Sequence, residues 1–469
     1  MYPASTTAKS MVLAPVRHLP SKLSFYLLAS LTVSFLAGSS APTPLYPLYR
    51  SLWGFSPVVL TVVFGIYALA VLAALLVAGR LSDHLGRRPV LIAATMGQVL
   101  VMLLFGTAES VTGLLVARVI QGITTGAAIG AIGAAMIDLD KDRGTIANAV
   151  VPAFGTALGS LMGGISLQYL PAPTHLVYAA LGAIFVVQAV GLVFVRESIS
   201  PQPGVWASLK PRLNLPAATR RPLLLAVPVL VAVWALAGFY GSLGPMLVRG
   251  MMDSRSPMLG GLALFVLAAS AGISVLFLHK RTPRDMMMLG AGSLFAGVAI
   301  VLAALPQSSI VGFFVGTAVA GIGFGAGFQG AVRTVIPTAA PHERAGTLSL
   351  VFIISYLAMG LPAVIAGTFL AGHANIITTA EYFCAAVMIL AAAVLAAAIP
   401  MRLAQLLRGR GALRYAVPAP RKPGVAIHGH PFDEFVSPVR ELPGHREPDA
   451  GSQLTSSYPA PAPAAGRRC

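Results

Sequence analysis

The chain has 469 residues, of which 56% are hydrophobic and only 10% charged, and its mean hydropathy is +0.80. Soluble domains are nearer a quarter charged, so this composition excludes an ordinary soluble enzyme and points to a bilayer. The net charge of +17 would suit nucleic acid if the basic residues formed a patch, but they sit in short segments between apolar runs.

Apolar runs of membrane length recur from end to end. They predict an all-α integral membrane protein with twelve spans. These fall at 23–42, 57–78, 89–108, 112–136, 146–170, 174–195, 222–248, 257–279, 286–305, 309–335, 346–371 and 378–400. Many contain Gly and Pro, which membrane helices tolerate because packed neighbours satisfy the freed backbone groups. The first run also fits a signal peptide, with basic residues ahead of it and small residues at Gly38–Ala41 near its end. Removing it would leave eleven spans, so it is read as a span. Residues 1–22 form an N-terminal segment, and residues 196–221, basic and holding four prolines, predict an irregular linker. The linker divides the chain into two six-span halves, 23–195 and 222–400. The tail, 401–469, is rich in Pro, Gly, Ala and Ser and predicts disorder. Within it, Met401–Leu413 alternates leucines with arginines and suits either a membrane surface or solvent.

The basic residues fix an orientation. Of the Lys and Arg, only Arg50, Arg249 and Arg255 fall between spans on one side, and Arg118 lies inside a span. All others lie in segments on the opposite side or at the termini, the positive-inside pattern. This predicts a cell inner membrane protein with both termini cytoplasmic and an even number of spans. Of the two cysteines, Cys384 is in the last span and Cys469 in the tail, so no disulfide between them is expected.

Residues 79–92 read Gly-Arg-Leu-Ser-Asp-His-Leu-Gly-Arg-Arg-Pro-Val-Leu-Ile. This charged turn between the second and third spans closely resembles the signature loop of the major facilitator superfamily. It supplies Gly79, Asp83, Gly86, Arg87 and Arg88, with His84 where the family has Arg or Lys. The resemblance implies two pseudo-symmetric six-helix bundles that rock about a central site. It also implies that Asp83 approaches the N-terminal end of the eleventh helix, near Gly346, when the outer side is open. There a carboxylate complements the helix dipole. Arg87 would meet Asp138 at the inner end of the fourth helix, and together these charges would form a conformational latch. A simple topological role for the charges is the alternative. At an offset of 201 residues Gly122 falls on Gly323, Gly126 on Gly327 and Arg143 on Arg344, a trace of duplication.

The fourth span carries Arg118, Gln121, Gly122 and Gly126, resembling a second family motif. A buried arginine is costly in a membrane, so it should face a cavity or a partner; snorkelling to the outer surface is the alternative. The fifth span carries Gly155, Gly159, Gly163 and Gly164, resembling the glycine motif of antiporter branches, with Ser160 in the slot of its proline. Small residues four apart let helices approach closely. Gly38 with Pro44-Leu45-Tyr46-Pro47 loosely resembles a drug-antiporter pattern. No acid lies at the middle of a span; Glu109 and Glu381, near outer ends, are the candidates for proton exchange. Trp234, Tyr240, Gln329 and Tyr356 are candidate cavity residues, although Trp and Tyr also anchor membrane interfaces.

No nucleophile and base set, metal cluster, phosphate loop or nucleic-acid module stands out, so no enzyme activity, cofactor, metal or nucleic-acid partner is expected. The resemblance implies a monomeric secondary transporter partnered by a small-molecule substrate, protons and lipid. The glycine run favours proton-coupled efflux of a small neutral or cationic amphipathic molecule. Proton symport of a sugar or organic acid is the alternative, and a transporter-like membrane sensor is an alternative of another class.

Overall fold

The computed structural model describes residues 18–209, 215–252, 256, 258–372 and 375–414. Among these residues there is no strand, and twelve helices are long and apolar enough to cross a membrane. They are α1 (Ser21–Ser40), α2 (Pro57–Ala78), α3 (Arg87–Gly106), α4 (Val111–Leu139), α5 (Lys141–Tyr169) and α6 (Pro173–Val193). The second half holds α7 (Ala217–Ser242), α8 (Met258–Leu278), α9 (Pro283–Ala304), α10 (Ile310–Val335), α11 (Arg344–Ala371) and α12 (Ile376–Arg414).

Local chemistry sets the boundaries. Ser56, Ser110, Asp140, Thr282 and Ser309 each cap a helix by accepting from a backbone N–H of its first turn. Prolines 57, 173 and 283 open helices, where a missing N–H costs nothing. Several boundaries differ from the sequence reading: α5 and α7 each begin five residues early, at Lys141 and Ala217, so that α7 starts inside the expected linker. The seventh span ends at Ser242, and a separate short helix, Gly244–Met252, follows it. A matching short helix, Tyr46–Trp53, follows α1. The boundary drawn at 400 falls inside α12, which runs to Arg414, because 401–414 is rich in the helix formers Leu, Arg, Ala and Gln. The linker also carries a short helix, Val205–Ser208. The disorder expected of the remaining tail lies outside the described residues.

The helices are apolar all round, so burial, rather than an amphipathic stripe, separates their faces. Val187, Leu224, Phe277 and Val311 are at least 70% exposed, as lipid-facing residues would be. Small residues and amides turn inward. Gln98 on α3 donates to Thr124 and Thr125 on α4 at 2.9 and 3.0 Å. Gln188 on α6 donates to Ser34 on α1 at 2.8 Å. The halves meet through α2 against α11 and α5 against α8, two seams that exchange under the repeat.

Packing corrects the register of that repeat. A Cβ on Gly122 or Gly126 of α4 would lie 2.7 Å from the Tyr67 carbonyl or 2.6 Å from that of Val71, both on α2. Their counterparts on α10 are Gly321 and Gly325, which press on the carbonyls of Leu267 and Ala271 of α8. Each pair is 199 residues apart, not 201. Gly323 and Gly327 face α9 and α7 instead.

Candidate functional site

The 79–86 loop and the start of α3 form a compact polar network at one end of the bundle, here called the basic end. Gly86 adopts a φ of +101°, which only glycine reaches without strain, and a Cβ there would lie 2.7 Å from Glu197 Oε2. The Glu197 carboxylate accepts from the backbone N–H of Arg87 and of Arg88, both at 2.9 Å. These are unpaired donors of the first turn of α3, where the helix dipole favours a negative charge. The sequence reading passed over Glu197; its signal was an acid just past the sixth span, opposite a helix start. Arg87 donates to Ser82 at 2.8 Å and pairs with Asp83 at 2.5 Å and with Asp138 at 3.4 Å. Asp138 also accepts from Ser198 at 2.8 Å. His84 Nδ1 sits 3.1 Å from the Pro203 carbonyl, an acceptor, so this nitrogen carries the proton and ties the loop to the linker. Gly79 ends α2, and the Arg88 side chain is half-buried. Asp83 is thus held within its own loop rather than at the end of α11.

Arg118 is fully buried, and among the described residues no carboxylate pairs with it. Its Nη1 donates to the Ser39 carbonyl at 2.8 Å and to Gln121 Oε1 at 2.7 Å, and its Nη2 donates to the Tyr46 hydroxyl. Gln121 in turn donates to the Gly38 carbonyl at 3.0 Å. Both carbonyls belong to the last turn of α1, which has no intrahelical donors left and carries the negative end of its dipole. The rings of Tyr46, Tyr67 and Phe105 stand 5.4–5.5 Å from the guanidinium carbon, within cation–π range. A helix end and three aromatic faces therefore do the work of a counter-ion. Glu109 is exposed and Glu381 half-buried, and neither pairs with Arg118.

The glycines of α5 have two targets. A Cβ on Gly155 would lie 2.8 Å from the Val33 carbonyl, and on Gly159 or Gly163 it would overlap the carbonyl of Ala37 or Ala41. These three seat α5 on α1. Gly164 faces Met258 and Gly261 of α8 in the other half. Ser160 donates across the same seam to the Gly261 carbonyl at 2.8 Å. Thr43 donates to the Gly241 carbonyl at 3.1 Å, and Ser256 to Gln168 at 3.2 Å. These bonds hold the halves together toward the far end, opposite the basic one.

In the second half Trp234 of α7 lies 5.4 and 5.8 Å from Phe328 and Phe324 of α10 and 5.5 Å from Tyr356 of α11. Phe352 adds a further ring beside Tyr356 at 6.3 Å. The Trp234 indole N–H is buried and has no hydrogen-bond partner among the described residues. Gln329 follows Phe328 and is half-buried. Tyr240 does not join this group: it is buried, stacks on Phe313 and hydrogen-bonds Thr317 at 2.7 Å.

Known proteins fit this geometry. The chain is 32% identical over 129 residues to the multidrug resistance protein MdtG of Proteus mirabilis, covering 26% of this chain and 31% of that one. It is 28% identical over 293 residues to the multidrug resistance protein MdtL of Klebsiella pneumoniae, covering 58% of this chain and 71% of that one. Among solved structures, the nucleoside transporter NupG superposes with a TM-score of 0.61 at 14% identity, over 81% of this chain and 99% of that one. A bacterial homolog of the human lysosomal transporter Spinster, inward-facing and unoccupied, gives 0.62 at 15% identity, over 80% and 96%. The profile of the Major Facilitator Superfamily matches residues 28–363, an interval that runs from α1 into α11 and takes in both the 79–92 loop and Arg118. The chain belongs to the Major Facilitator Superfamily and is a multi-pass secondary transporter of small molecules rather than an enzyme.

Proposed function

We propose that this transporter exports small neutral or cationic amphipathic molecules in exchange for protons, as a monomer with both termini in the cytoplasm. The observation that carries the reading is the aromatic group Trp234, Phe324, Phe328, Phe352 and Tyr356. Flat apolar faces from three helices, with an unpaired indole donor among them, suit an amphipathic ring system, and aromatic faces attract a cation. The multidrug resistance names of the relatives support the same class. Alternating access is assigned to rocking at the α2–α11 and α5–α8 seams, with Asp83, Arg87 and Asp138 biasing the basic end. The asymmetry of basic residues supports the orientation.

Inverted vesicles with an imposed pH gradient test the proposal. Ethidium accumulation should follow the gradient, fall strongly in Trp234→Ala and weaken in Glu109→Gln or Glu381→Gln. Accumulation indifferent to the gradient would remove proton antiport. A second reading, symport of an organic acid, is favoured by the lack of a carboxylate against Arg118; gradient-driven uptake of a monocarboxylate into right-side-out vesicles would support it instead.

A further inference from the structure

The far end of the molecule carries a cavity of about 300 Å³ lined by Pro47, Arg50 and Ser51 from one half and Met246 and Arg249 from the other. We propose that Arg50 and Arg249 form a binding site for a phosphate-type oxyanion, and that its occupation holds this end of the transporter shut. The inference is independent of the substrate reading.

The two arginines sit on the matching short helices Tyr46–Trp53 and Gly244–Met252, each following the first helix of its half. They are 199 residues apart, the same offset that relates Gly122 to Gly321 and Gly126 to Gly325 by packing. Arg50 and Arg249 are thus repeat equivalents that line one cavity from opposite halves. Arg50 donates from Nε to the Phe55 carbonyl at 3.3 Å, and its Nη1 lies 3.8 Å from Met246 Sδ. The fork of each guanidinium offers five N–H groups, so most donors in the cavity remain uncommitted. Among the described residues no carboxylate lines the cavity and neither arginine enters an ion pair. Although Arg249 keeps much of its surface in solvent, desolvation of its guanidinium lowers its pKa from the usual value.

Two like charges on opposite halves repel and favour parting at this end. An oxyanion between them reverses the sign of that interaction, and guanidinium forks match a tetrahedral oxyanion in bidentate fashion. A ligand bridging both halves binds only the shut arrangement and so draws the population toward it. The same chemistry could come from free phosphate or from the phosphodiester of an anionic lipid.

The test uses the full chain in nanodiscs. Wild type in pure phosphatidylcholine is titrated with pyrophosphate, and separately reconstituted with phosphatidylglycerol. Melting temperature is read together with the distance between spin labels at Leu52→Cys and Tyr382→Cys, in a background with both native cysteines replaced. A saturable upward shift in melting temperature, with gain of the short-distance population, is expected from at least one source. Response to pyrophosphate identifies a free anion; response only to phosphatidylglycerol identifies a lipid headgroup. Both responses should vanish in R50Q/R249Q. The charge reversal R249E places a carboxylate opposite Arg50, and should hold the far end shut with no added anion and no further response. Arg249 is exposed, so R249E tests the site even if the double variant folds poorly. No response of wild type to either source, or an equal response in R249E, overturns the proposal.

Discussion

Arg118 shows how a charge is kept inside a bilayer without an opposite charge. Its three acceptors are the Ser39 carbonyl, the Gln121 amide oxygen and the Tyr46 hydroxyl. The end of α1 supplies the electrostatics. Arg118→Leu strands those acceptors and should lower stability by about 1–3 kcal/mol for each left unsatisfied, read as a drop in melting temperature of purified protein. Arg118→Lys keeps the charge but loses the planar fork, and should recover only part of the stability. The repeat places Thr317 at the corresponding position of the second half, 199 residues on, where it bonds Tyr240. The buried cation therefore belongs to one half alone. At the basic end, Glu197→Gln removes a full charge from the start of α3 but leaves an acceptor. The expected loss is about 0.3–2 kcal/mol, screened by salt because the loop is partly exposed. A loss unchanged between low and high salt would argue against a dipole effect.

Between elements, glycine sets how closely helices pack, and the four glycines of α5 are not equivalent. Gly155, Gly159 and Gly163 seat α5 on α1 within one half, a contact with no reason to open. Gly159→Val should leave little folded protein, because its side chain would overlap the Ala37 backbone. Ser160 and Gly164 face α8 across the seam between the halves, where the proposed rocking would act. Ser160→Ala removes one interhelical hydrogen bond, worth about 0.6 kcal/mol in a membrane, and should shift the far end toward opening by roughly three-fold. Cysteine cross-linking between positions 164 and 258 would report it; unchanged cross-linking would mean that the bond adds nothing to closure. Substitution at Gly159 should thus be read in expression, and substitution at Ser160 in conformational balance.

For the whole molecule, the two ends behave differently. The far end is held by Thr43, Ser160 and Ser256 across the halves, while at the basic end Arg87 gathers Asp83 and Asp138 within one half. If Asp83 alternates between Arg87 and the N-terminal end of α11, Asp83→Asn should leave insertion intact and sharply reduce transport. Arg87→Ala and Asp138→Ala should be non-additive, because they share one contact at 3.4 Å. Additive losses in a double-mutant cycle would mean that the ion pair carries no coupling. Truncation after Arg414 should spare folding and transport, since residues 415–469 lack the apolar content to add to a core; lost transport at normal membrane levels would make the tail a working part.

The twelve spans were legible in the sequence because a bilayer demands long apolar helices whatever their partners, and that demand acts on composition alone. The 79–92 loop was legible for a related reason: charge, glycine and proline at a turn act locally. Long-range pairing was not. Glycines two residues apart on α10 allowed two repeat registers, and only the backbones they press against separate 199 from 201. Trp234 and Tyr240 looked alike in sequence, yet one joins rings from three helices and the other is spent on Thr317. Glu197 lies 110 positions from the Arg87 N–H it accepts, and the end of α1 that stabilises Arg118 is 79 positions away. Hydrophobicity and turn chemistry are properties of neighbours along the chain, so the sequence by itself determined the spans and the signature loop. Which polar groups meet, which glycines bear a seam and which arginines share a cavity depend on how helices pack across the bundle, and only the tertiary structure decided them.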